Sequence, residues 1–225
     1  MSNVKNIQLI DTQLIDEMDL ESVDTVVEET AISDTSHCIP SGDYTVKLSL
    51  LPLKKAKDCE GATNAEKIKR SSFVMVIADG RPTFLVAERI VQVQVLLNND
   101  TMEAVSRKIQ IRYNLRYRNT TDKVEAGQEN KYSVIDYASL LQNCYMQANG
   151  LTPKEFAKLL KSGEVKSADL EAVLDNPEAE FYCAVTIKAE SRDSADGTRT
   201  YENNVLVPRS ITALDENTVA ALQSM

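Results

Sequence analysis

The chain contains no tryptophan, one histidine and seven glycines, and aromatic residues make up only 5% of it. Each shortage removes a class of function. With His37 as the sole imidazole, nucleophilic triads lack a base and histidine metal centres lack ligands. Its neighbour Cys38 reads as an accident of sequence. The glycines are scattered and form neither GxGxxG nor a P-loop, so the common backbone cradles for phosphate are missing. No apolar run approaches the roughly 18 residues of a membrane helix. The first 29 residues lack a basic segment followed by an apolar one, so a secretory signal is not expected either. The four cysteines (Cys38, Cys59, Cys144 and Cys183) include no CxxC pair for zinc, and reduced thiols in a cytosolic compartment are expected. Cys144 and Cys183 fall in apolar patterns that read as core. The acid pairs nearest to a catalytic arrangement, Asp79 with Glu88 and Asp193 with Asp196, lie in stretches that read as turns or solvent faces. No catalytic, cofactor-binding or metal-binding residue is predicted, and enzyme activity is not the reading.

What the chain does have is an uneven charge. The total over 225 residues is −9, but residues 1–36 hold nine acids against Lys5 alone, a balance of −8. The remainder carries 25 acids against 24 bases, so a near-neutral body follows an acidic N-terminal arm, taken here as residues 1–38. Such an arm solvates itself or contacts a partner. Its apolar residues, Ile7 and Val27 among them, are too many for a purely repelling tail and favour docking, with a short helix around residues 11–20.

The body begins at the turn-rich stretch Ile39-Pro40-Ser41-Gly42-Asp43 and is assigned residues 39–209. A strand follows in which Tyr44, Val46, Leu48 and Leu50 share one face and Thr45, Lys47 and Ser49 the other. Residues 53–72 break the pattern with six bases against three acids. Phe73 to Ala78 reads as a strand turning at Asp79-Gly80 into Thr83 to Ala87. Arg89 to Leu97 alternates again, and a single bent strand from Phe84 to Leu97 is an equal alternative. Arg107 to Arg118 alternates most clearly, with Ile109, Ile111, Tyr113, Leu115 and Tyr117 on one face. The other face carries Lys108, Arg112, Arg116 and Arg118 and no acid. A helical insertion is predicted at about 133–176: Val134 to Ala148, a helix opened by Thr152-Pro153-Lys154-Glu155, and a short one capped by Ser167. Two closing strands, around Phe181 to Lys188 and Thr200 to Val207, flank a turn at Asp196-Gly197. Residues 210–225 form a C-terminal segment in which Asp215 to Gln223 allows a helix. The fold class is mainly β with a helical insertion, a partly open antiparallel barrel of OB-like type.

Like charges along one strand face repel each other unless an anion relieves them. Two readings of the 108–118 row therefore stand: a solvated edge strand whose bases deter aggregation, and a face turned toward a polyanion. Proteins that grip single strands combine a basic groove with aromatic platforms. The basic candidates are Lys47, Lys54, Lys55, Lys57, Lys69, Arg70, Lys108, Arg112, Arg116 and Arg118. The aromatic candidates are Tyr182 and Tyr201, both off the apolar pattern.

The stretch Ile39-Pro40-Ser41-Gly42-Asp43-Tyr44-Thr45-Val46-Lys47 resembles the first strand of phage-encoded, OB-fold single-stranded DNA-binding proteins. The segment from Ala179 to Lys188, followed by Thr200-Tyr201-Glu202-Asn203-Asn204-Val205, is similar to their closing hairpin. The likeness covers residues 39–209 in layout and these two stretches in residues. It implies non-catalytic binding of single-stranded DNA during viral or phage DNA replication or recombination, in the cytoplasm of the host. Such proteins often end in an acidic tail. This chain ends Ala220-Ala221-Leu222-Gln223-Ser224-Met225, with its acids at the other end, so the arm is the candidate contact for replication proteins or for self-association. The alternative is a virion structural or assembly accessory protein whose N-terminal arm docks on a neighbouring subunit.

Overall fold

Period-two burial begins at Tyr44 and runs through the first strand, β1 (Gly42–Leu50), where Tyr44, Val46, Leu48 and Leu50 are buried. The structure is a computed structural model that describes residues 38–59, 62–175, 181–193 and 200–224. The arm up to residue 37, its expected helix and the Asp196-Gly197 turn lie outside the described residues. The entry to β1 is fixed by side chains: the Tyr44 hydroxyl donates to the Pro40 carbonyl at 2.9 Å. Ile39 donates its N–H to Asn204 Oδ1 at 3.1 Å, and Asn204 Nδ2 returns a bond to the Ile39 carbonyl at 2.9 Å.

After β1 the chain makes a 3-10 turn (Ala56–Asp58) and a short helix α1 (Asn64–Arg70), which the sequence pattern did not announce. β2 (Phe73–Ala78) and β3 (Arg81–Val86) pair as a separate two-stranded sheet. Asp79 and Gly80 both have positive φ, 49° and 76°, the backbone that a two-residue hairpin turn requires. β4 (Glu88–Asn98) starts after Ala87 alone. The hairpin reading holds: β3 and β4 are separate strands in different sheets, and the chain changes sheets at Ala87.

β5 (Glu103–Asn114) follows, then the helices, then β6 (Phe181–Asp193), β7 (Thr200–Leu206), a 3-10 turn (Pro208–Ser210) and the short β8 (Thr212–Ala213). The main sheet has the order β5-β4-β1-β6-β7, antiparallel throughout, with β8 pairing to β6 beside β7. β5 comes back against β7, and Cys38 lies within electrostatic reach of both Arg107 on β5 and Glu202 on β7. The result is mainly β, a nearly closed antiparallel barrel of OB-like type with the helices inserted between its third and fourth strands.

The helices close one side of the barrel. In α2 (Lys131–Ala148), Tyr137, Leu140, Leu141 and Cys144 recur at helical spacing and are buried. α3 (Pro153–Ser162) opens with the predicted capping box: Thr152 accepts from the Glu155 N–H, Glu155 accepts from the Thr152 N–H at 2.9 Å, and Gly163 ends it with φ 74°. α4 (Ser167–Asp175) buries Leu170 and Leu174, and its first turn is tied by Asp169, which accepts from the Lys166 N–H at 2.7 Å. Ser167, expected as the cap, is instead the first residue of the helix, and Lys166 stands at the cap position. α5 (Glu216–Gln223) is capped by Asp215, which accepts from the Thr218 N–H at 3.0 Å. One hydrophobic cluster joins the inner barrel faces to α2, α3 and α4.

Candidate functional site

Because Val46, Leu48, Val91, Val93, Val95 and Cys183 point into the core, their strand neighbours point outward. Register then decides which outward residues meet. Lys108 on β5 stands opposite Gln94 on β4, Gln94 opposite Lys47 on β1, and Lys47 opposite Tyr182 on β6. These four form one row across four strands. The next row is Gln110, Gln92 and Ser49. Arg112, opposite Ile90, extends the face toward the end of the barrel where β1 finishes. Lys108, Gln110 and Arg112 are exposed. The Lys47 ammonium lies 5.8 Å from the centre of the half-buried Tyr182 ring, a cation–π contact that holds charge and aromatic face together.

The remaining predicted bases divide. Lys54, Lys55 and Lys57 lie on the connection after β1, and Lys69 and Arg70 in the last turn of α1. This connection is tied to the Arg112 end of the sheet, since Leu51 donates to the Ile90 carbonyl at 3.0 Å and Ser72 to the Lys54 carbonyl at 2.7 Å. Lys69 and Arg70 also complement the helix dipole from its C-terminal turn. Arg116 and Arg118 do not share the face of Lys108 and Arg112. The ladder ends at Asn114, after which Arg116 N–H bonds to Ala87 and Tyr117 N–H to Gln128. Arg116 reaches the Gly127 carbonyl at 2.9 Å and Glu129 at 3.2 Å. Arg118 donates to the carbonyls of Phe73, at 3.0 Å, and of Ser71. Both guanidiniums pin the hairpin and the segment after β5. Tyr201 stands opposite Arg192 in the β6–β7 ladder, and its side chain lies outside the described part.

An acid does reach this end of the basic row, from another strand. Glu88, read from sequence as turn-like, is only 4% exposed. Its Oε2 lies 3.2 Å from both Arg112 and Arg118. Sequence reasoning also missed Arg89, buried at 5% exposure between Tyr137 at 3.3 Å and Glu171 at 2.8 Å. Tyr137 donates its own hydroxyl to Glu171 at 2.7 Å, closing a triangle of β4, α2 and α4. Burial, then the bond to Glu171, pushes the Tyr137 phenol above its ordinary range. The period-two rule puts Arg89 on the same face as Val91, but a guanidinium is not expected in a core, and the Tyr137 and Glu171 partners that hold it there come from helices far along the chain.

Phe73 is half-buried on the separate hairpin, whereas Tyr113 is a core residue. The four cysteines are free thiols, three of them buried. Among the described residues no group of three or more His, Cys, Asp or Glu is arranged to hold a metal ion, and no helix is long and apolar enough to cross a membrane. Comparison with protein-family models, with curated proteins and with solved structures returned no match.

Proposed function

We propose that this protein binds single-stranded DNA along the outer face of β4, β5, β1 and β6, in the replication or recombination of viral or phage DNA. The observation that carries the reading is the row Lys108–Gln94–Lys47–Tyr182. A single strand needs cations along its backbone, amides for base edges and a π-face for stacking, and this row offers all three in one line. In OB-type barrels oligonucleotides lie across the second and third barrel strands and the connection after the first. Here those are β4, β5 and the lysine-bearing connection after β1. The body balance of −1 supplies no global attraction, so affinity rests on the local patch and falls steeply with salt.

Anisotropy titrations with labelled oligo-dT and with duplex, each at three salt concentrations, test the reading. Single strands are expected to bind better, and K47A, K108A and R112A are each expected to flatten the log–log salt slope by about 0.7. Tyr182→Ala is expected to weaken binding about five- to hundredfold, the worth of one stacked base. Arg116→Ala, which lies off the face, should leave the slope unchanged and lower stability instead. A wild-type protein that ignores oligo-dT even at low salt would overturn the proposal and return attention to the arm and subunit assembly.

A further inference from the structure

Past Tyr182 the outer face does not end at solvent. A groove of about 590 Å³ opens between the end of α2, α4, the start of β6, β8 and α5, and Tyr182 is one of its walls. Tyr145, Phe181, Val173, Leu214 and Val219 supply further apolar walls, and Gln147, Asn149 and Asp169 supply polar groups at the exposed rim. The walls are fixed by short-range bonds. Leu214 donates to the Tyr182 carbonyl at 3.1 Å, Ala213 to Gln147 Oε1 at 3.3 Å, and Asn149 Nδ2 to the Tyr145 carbonyl at 2.8 Å. Tyr145 is steadied by the Phe156 ring, 5.8 Å away between centroids.

Charge divides sharply at Tyr182. On one side Lys47 sits over its ring. On the other, no lysine or arginine among the described residues lines the groove and Asp169 brings a carboxylate. A phosphate belongs on the first side and is repelled from the second. A neutral, flat group with amide-like edges suits the second: aromatic walls take its faces, while an amide and a carboxylate take its carbonyl and N–H groups. Resting on the single-strand reading above, we infer that the groove receives one unstacked nucleobase of the bound strand. The phosphates track Lys47 and Lys108, and the base turns in beside Tyr182 and Tyr145.

The test is photo-cross-linking of the full chain with oligo-dT carrying single 5-iodouracil substitutions, read by mass spectrometry, together with affinities for oligo-dT and for an abasic chain of equal length. A cross-link at Tyr145, which lies in the groove and off the strand face, is the expected result. Ala172, an exposed α4 residue of the groove wall, can be enlarged without disturbing the core. Ala172→Leu should abolish that cross-link and weaken oligo-dT binding about five- to tenfold, leaving the abasic chain unaffected. Cross-links at Tyr182 without Tyr145, or unchanged oligo-dT affinity in Ala172→Leu, would overturn the groove and leave the strand face standing. Absence of any oligonucleotide binding by the wild-type protein would instead remove the single-strand reading, and the groove with it.

Discussion

Glu88 carries two obligations with one carboxylate. It is buried, and both guanidiniums that neutralise it, Arg112 and Arg118, are at 3.2 Å from the same oxygen. Replacing it with alanine removes the buried carboxylate that Arg112 and Arg118 share, so Glu88→Ala should cost about 2–3 kcal/mol, read as a lowered midpoint in urea. The thiols make a second residue-level prediction. Burial pushes the Cys183 thiol up to about 12, and Cys144 rises well above its usual value through burial and the neighbouring Cys183. The folded chain holds these protons more tightly than the unfolded one, whose thiols titrate near 9. The Cys183 contribution is therefore complete below pH 9 and is lost as pH rises toward 12, by at most about 1.4 kcal/mol per pH unit, and Cys144 acts in the same direction. Burial raises the Tyr113 and Tyr137 phenols in the same direction. Urea midpoints should fall between pH 8.5 and pH 10.5, and level midpoints would contradict the assignment. Individual partners of this kind were not legible in the sequence. Nothing within ten residues of Arg112 announces Glu88, because the pairing is made across strands by register.

At the scale of elements, the segment between β5 and α2 depends on Gly127. Its φ is +83°, and a Cβ there would collide with Val76 of the hairpin. Gly127→Ala should therefore cost about 2 kcal/mol or more, from both backbone strain and overpacking, with amide exchange accelerating first in β2 and β3. The α3 cap is milder: Thr152→Ala should cost about 1 kcal/mol, measured by thermal unfolding. Elements were the most legible level. Alternation in β1, β4, β5 and β6, the Asp79-Gly80 turn and the Thr152 box are local signals that the chain carries in neighbouring residues. Two failures have physical causes. α1 carries only Ala65 and Ile68 as apolar residues in Asn64–Arg70, too few to mark a stripe. The alternation of β5 continues in sequence to Tyr117, but its backbone bonds leave the ladder at Asn114, and side-chain pattern alone does not reveal where hydrogen bonds go.

For the whole molecule, the mainly β class with helices between the third and fourth barrel strands could be read from the order of patterns. The strand order could not, since β1 joins partners such as Val185, which stands opposite Tyr44 from far along the chain. The same holds for the outer row: Lys47, Lys108 and Tyr182 were each visible singly, and only register aligns them. Charge gives the prediction proper to this scale. Removing residues 1–36 takes the net charge from −9 to −1. Less repulsion should tighten oligo-dT binding at low salt, and the gain should vanish at high salt; equal affinities at low salt would show that the acidic arm leaves the field at the face unchanged. The junction at Ala87 has a mechanical consequence as well. This residue is 1% exposed, donates to the Ser72 carbonyl at 2.8 Å, and is all that separates the hairpin from β4. The hairpin is thus a cantilever, clamped at Ser72, Ala87 and the Arg118 guanidinium, propped at Val76 by Gly127, and free at a tip where Ile77 to Arg81 are exposed. Deflection of such a beam is largest at the free end and vanishes at the clamp, so a force on the tip reaches the barrel as torque on Glu88 and Arg89, the buried charges at the root of β4.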